Sequence, residues 1–174
     1  MATRHVSPQD PSLPGSCARA ATAAEARYRI RRPVAPARAP RVIALDDGAA
    51  EIVRRTAALP WATARFYTCA SGEGTPQLHG IEGRPATLAD ELATADVVVM
   101  IATDDGGAGG AHAVGTACRQ RGIMTAGLVV PNTGVDADAD AADRAVAAMR
   151  PHARVLLPGA DESDVVELLT ALRA

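Results

Sequence analysis

Short apolar runs and stretches of helical spacing alternate along this chain from Arg41 onward. Val42–Leu45 reads as a buried strand closing on Asp46-Asp47-Gly48, and Ala49–Leu59 then places Ile52, Val53, Thr56 and Leu59 on one helical face before Pro60 stops it. Arg65–Cys69 is a second strand, and Gln77–Ile81, inside the Gly- and Pro-rich stretch from Ser71 to Pro85, a third at the sheet edge. Thr87, with Asp90 or Glu91 behind it, has the pattern of a capped helix running to Ala95. Val97–Ala102 and Ile123–Val130 are continuous apolar strands on either side of a glycine-rich loop and a helix over Ala111–Arg121. After a loop over Pro131–Asp138 come a helix over Ala139–Arg150, a last strand over Arg154–Leu157 and a closing helix over Ser163–Arg173. Strands alternating with helices at this spacing predict an α/β fold, a three-layer α/β/α sandwich on a mostly parallel, right-handed, doubly wound sheet. Val42–Leu45 is expected near the centre of at least five parallel strands, because runs this apolar must be covered on both faces.

Residues 1–40 break the pattern. They hold half of the twelve prolines and seven Arg against Asp10 and Glu25, with few bulky apolar side chains. Such a segment buries too little surface to offset its ordering entropy, so 1–40 is read as a flexible Arg/Pro/Ala-rich arm and 41–174 as the globular domain. Within the arm Arg27–Arg32 alternates, as a short edge strand or a basic arm on a partner would. Deleting residues 1–24 is expected to leave the melting temperature almost unchanged.

The remaining composition mainly excludes. The domain carries eleven Arg against eighteen acids, which argues against nucleic acid as a partner. All eighteen cations are Arg, so Schiff-base, P-loop and kinase-type lysine chemistry is absent. Cys17, Cys69 and Cys118 have neither disulfide-framework nor zinc spacing. No apolar run is long enough to span a membrane and no secretory leader is evident, so the expectation is a cytoplasmic protein with no membrane association.

Candidate chemistry collects on two strand-to-helix loops of matching composition, Leu45-Asp-Asp-Gly-Ala-Ala50 and Thr103-Asp-Asp-Gly-Gly-Ala-Gly-Gly110. In a doubly wound sheet such loops lie side by side above the strand ends, where ligands bind. Backbone N–H groups of Asp105, Gly106, Gly107, Ala108, Gly109 and Gly110, with Gly48 letting the first loop approach and Thr103 donating a hydroxyl, would cradle a phosphate. Asp46, Asp47, Asp104 and Asp105 place like charge at the mouth of that cradle, so a divalent cation would have to stand between them and the phosphates. The plain alternative is that the glycines form a tight turn and the aspartates cap helix N-termini. His112 beside an aspartate is a weaker acid/base candidate for a small-molecule enzyme. Cys118 lies too far round the helix to join it, and His79 and His152 have no spaced partners. The acids Asp136, Asp138, Asp140 and Asp143 lack the glycine and terminal glutamate of an EF-hand.

In the order of these elements the chain resembles the nucleotide-binding half of the tubulin family, in particular its bacterial cell-division branch, FtsZ. Asp105-Gly-Gly-Ala-Gly-Gly-Ala111 stands where that family has its GGGTGTG-type loop, Arg41–Glu51 where it has its first glycine-rich loop, and Arg65–Ala70 and Arg154–Gly159 at its second and sixth strands. The resemblance covers about residues 41–160. It implies a Rossmann-like domain that binds GTP, GDP or another phosphate-bearing ligand with Mg. The chain departs from the family in its acidic first loop and in Ala108 and Gly110 at the signature threonines. It also stops before the central helix that reads guanine, so a self-sufficient polymerising GTPase is not implied. The alternative is a degenerate, non-catalytic oligomerisation or partner-binding module, with a homo-oligomer or another protein as partner.

Overall fold

The computed structural model describes residues 36–70, 76–131 and 142–174. Their order is β1 (Pro40–Ala44), α1 (Asp47–Ala57), β2 (Arg65–Ala70), β3 (Gln77–Gly80), β4 (Pro85–Thr87), α2 (Leu88–Ala93), β5 (Val97–Ala102), α3 (Ala108–Arg121), β6 (Met124–Val129), α4 (Asp143–Met149), β7 (Val155–Pro158) and α5 (Glu162–Leu172). The strands form one sheet in the order β4-β3-β2-β1-β5-β6-β7. Five of them, β2-β1-β5-β6-β7, are mutually parallel, and β3 and β4 extend the sheet antiparallel. The expected α/β sandwich with a central first strand is thus the observed one.

The physical reason is in the burial. Every residue of β1 and of β5 is buried, which only a sheet covered on both faces allows. Alternate residues feed two cores. Ile43, Val98 and Met100 pack with Leu88 and Leu92 of α2, Val114 and Cys118 of α3, and Met149 of α4. Val42, Val99, Ile101 and Leu128 pack with Ile52 and Val53 of α1 and with Val165 and Leu169 of α5. Below the sheet, Arg41 is 2% exposed and donates to Glu91 Oε2 (3.0 Å), Ala39 O (3.1 Å) and Thr94 Oγ1 (2.6 Å), which ties the start of β1 to α2. No helix among the described residues is long and apolar enough to cross a membrane.

Several expectations need correction. Gln77–Gly80 is a strand but not the edge. A turn at Gly83 (φ 81°) folds Pro85–Thr87 back along its outer side, where Pro85 loses no ladder bond. Thr87 does precede α2, but its hydroxyl makes no capping bond, and Glu91 turns to Arg41 instead. The helix expected over Ala139–Arg150 is described only as Asp143–Met149. Asp140, the Pro131–Asp138 loop apart from Pro131, and residues 1–35 of the arm read as 1–40 lie outside the described residues, while Pro40 of that arm already belongs to β1.

Candidate functional site

β1 and β5 are adjacent, yet the helices that follow them leave on opposite faces of the sheet. α1 joins one core and α3 the other. This is the switch point, and the two Asp-Asp-Gly loops meet there as expected.

Their contact is held by one carboxylate. Asp46 is the N-cap of α1, and its Oδ1 accepts from Ala49 N–H and Thr103 Oγ1, both at 2.7 Å. Its Oδ2 accepts from Thr103 N–H (2.7 Å) and Asp104 N–H (3.3 Å). The loops approach closely enough to demand glycine. A Cβ on Gly48 would collide with Thr103 Oγ1, and one on Gly107 would stand 2.8 Å from Leu45 Cβ.

The glycine-rich stretch is not a loop. Asp105–Gly107 is a 3-10 turn capped by Asp104, whose Oδ1 accepts from Gly106 N–H at 2.7 Å. Ala108, Gly109 and Gly110 already belong to α3, which therefore starts three residues before the expected Ala111. Asp105 points away from the switch point altogether. Its carboxylate accepts from Arg144 N–H (2.7 Å), Ala145 N–H (3.2 Å) and Arg144 Nε (3.0 Å), and so caps α4 from a distant loop. Partial desolvation pushes the Asp105 carboxyl up, but the Ala145 and Arg144 N–H groups and the Arg144 guanidinium together hold it below its ordinary value.

What remains open is a crevice of about 490 Å³ over the carboxyl ends of β1, β2 and β5. Asp46, Asp47, Asp104 and Gly106 border it, with Arg54 from α1 and Thr68, Cys69 and Ala70 from the end of β2. Asp47 and Asp104 are exposed, and Arg54 also pairs with Glu51 on its own helix. The site thus combines carboxylates that can take a cation with one guanidinium that can take an anion. Among the described residues no three His, Cys, Asp or Glu side chains converge in a ready metal-binding group, so Asp46, Asp47 and Asp104 do not form one by themselves. Thr68, Cys69 and Ala70 were not candidate residues by their own chemistry, although the tubulin-family resemblance sets a ribose-side loop after the strand Arg65–Ala70 that carries them.

The acid/base pair expected at His112 is not assembled. Asp105 is engaged with α4 and Asp104 faces the crevice with Oδ1 on Gly106 N–H, and the neighbour of the exposed His112 ring is His152, edge-on at 5.5 Å between centroids. His152 thus has a partner that its spacing did not reveal. It packs on Gly115, where a Cβ would strike the imidazole, and both its ring nitrogens are buried without a hydrogen bond. Burial, with His112 and Arg119 nearby, lowers its pKa. Cys118 is fully buried in the core, its thiol pushed up to about 12 by that burial, and is no nucleophile.

No protein-family model matches this chain, and no curated protein matches it.

Proposed function

We infer that the domain binds a small polar ligand in the switch-point crevice, and that a nucleotide or other phosphate-bearing ligand enters it together with a divalent cation. The observation that supports this reading is the composition of the crevice, with Asp47 and Asp104 exposed beside Arg54 at the carboxyl ends of β1, β2 and β5. Four of the backbone donors around the two loops are already used. Asp46 takes those of Ala49, Thr103 and Asp104, and Asp104 takes that of Gly106. A phosphate group therefore needs Arg54 and a cation shared with Asp47 and Asp104, since hard cations prefer carboxylate oxygens. The likeness to the tubulin family's nucleotide-binding half supports a nucleotide as the first ligand to test, through the order of elements rather than through the glycine stretch.

The second reading, a non-catalytic module that binds a protein partner, is favoured by the same self-satisfied aspartates. Calorimetry and thermal shift with GTP, GDP and ATP, with Mg or with chelator, separate the two. Saturation at a hundred times the dissociation constant adds about 2.7 kcal/mol of stability. The ligand reading expects that gain only with Mg, and a smaller one in Asp104→Asn. A larger gain in Asp104→Asn would mean that the carboxylate obstructs rather than recruits. Failure of every nucleotide to stabilise either protein leaves the partner-binding reading.

A further inference from the structure

The two edges of the sheet are built differently. β4, at one end, has only three residues and begins with Pro85, the usual protection of an edge. β7, at the other end, is apolar throughout, reading Val-Leu-Leu-Pro. Arg154 N–H donates to Thr125 O and Ala160 N–H to Val129 O, both at 2.9 Å, and Leu156 stands opposite Gly127. Within the strand, Arg154 and Leu156 therefore turn their backbone groups toward β6, and Val155 and Leu157 turn theirs outward. Pro158, lacking an N–H, sits on the inward row, so both outward residues, Val155 and Leu157, keep an N–H and a C=O to offer. Among the described residues no strand pairs with it.

The side chains on this edge are equally uncovered. Leu156 packs against the core beside Met149 and Gly127. Val155 and Leu157 lie on the opposite face, 47% and 38% exposed, with Met124 at the start of β6 on that same face and 42% exposed. Val165 and Leu169 of α5 cover Leu128 on β6, and their core includes no residue of β7. The chain is basic before the strand, at Arg150 and Arg154, and acidic after it, at Asp161 and Asp164, while the charge of Glu162 is met by Arg55.

We propose that β7 is a homodimer interface, in which two copies of this chain pair edge to edge and antiparallel. Val155 of one copy lies opposite Leu157 of the other, and the two-fold axis passes beside Leu156. This is the register in which outward-facing residues exchange both backbone bonds. It stacks Val155 and Leu157 of both copies into one apolar cluster on the exposed face. Antiparallel pairing also brings the basic start of each strand toward the acidic end of the other, whereas parallel pairing would set like charge against like. The result is one continuous fourteen-strand sheet made from two seven-strand sheets. The interface is independent of the crevice and leaves it open.

Sedimentation of the full chain over a micromolar concentration range tests this. The wild type is expected to form a dimer, and Leu157→Lys to weaken it at least tenfold without changing the circular dichroism spectrum. The double variant Val155→Cys/Leu157→Cys, in a Cys17→Ser background, supplies a readout of register. A hydrogen-bonded antiparallel pair sets its Cα atoms about 5.5 Å apart, within disulfide range, so oxidation should link two chains. A wild type that is monomeric at every concentration overturns the proposal. So does a dimer that keeps its dissociation constant in Leu157→Lys, or one whose double-cysteine variant cannot be cross-linked.

Discussion

Four donors from two loops converge on the Asp46 carboxylate, and one residue thereby joins β1 to β5 at the top of the sheet. Asp46→Ala removes the cap of α1 and also strands the Thr103 and Asp104 amides. Urea unfolding should show a loss of roughly 2–4 kcal/mol, the sum of a lost cap and the unsatisfied donors of buried Thr103. The glycines divide in the same experiment. Gly48→Ala should destabilise, because its Cβ has no room beside Thr103, whereas Gly109→Ala meets no atom within 4 Å and sits on the exposed side of α3. It should be neutral or stabilising by up to about 1 kcal/mol. The repeated Asp-Asp-Gly pattern made both loops legible as a pair above the strand ends. It left open whether the aspartates cap helices or hold a cation, because the decisive acceptor for Thr103 lies 57 residues away in sequence.

At the scale of elements, α2 and α4 are held by contacts that no local pattern announces. The residue before α4 is Ala142, which has no side chain to cap it, and Asp105 does so across the fold. α2 is anchored through Glu91, whose carboxylate meets Arg41 and Arg65. Glu91→Ala would leave Arg41 buried without its counter-charge, and thermal or denaturant melts should record a loss of about 3 kcal/mol. β1, β5 and β6 were legible because nearly every position in them is apolar. β4 was not, since Pro-Ala-Thr carries no alternation and is a strand only because β3 lies beside it. The start of α3 was misplaced for a related reason. Glycine is a poor helix former, so the Gly106–Gly110 run reads as a loop, yet Gly109 and Gly110 lie inside α3.

For the molecule as a whole, His152 sets the acid side of stability near neutrality. Its folded pKa lies below the ordinary 6.5, chiefly because the ring is desolvated, so the unfolded chain binds the proton more readily. Stability is therefore full above that range and falls as pH drops through it. Asp105, Asp161 and Glu91 have lowered values instead, so what they contribute persists until the pH reaches the carboxylate range. Denaturant unfolding at about pH 7.5 and about pH 5.5 should show the lower stability in acid. His152→Leu should flatten that difference while leaving the carboxylate-dependent fall below it.

The position of β1 also bears on how the chain is made. It is the first of the described strands to leave the ribosome, and it ends as the middle strand, between β2 and β5. Pro40 pairs with Val97, so one flank of β1 has no partner until that much more chain is synthesised, several seconds at about 5–20 residues per second. Over that interval Val42 and Ile43, fully buried at the end, stand on a half-built sheet whose open side is the template that β5 must reach before another chain does.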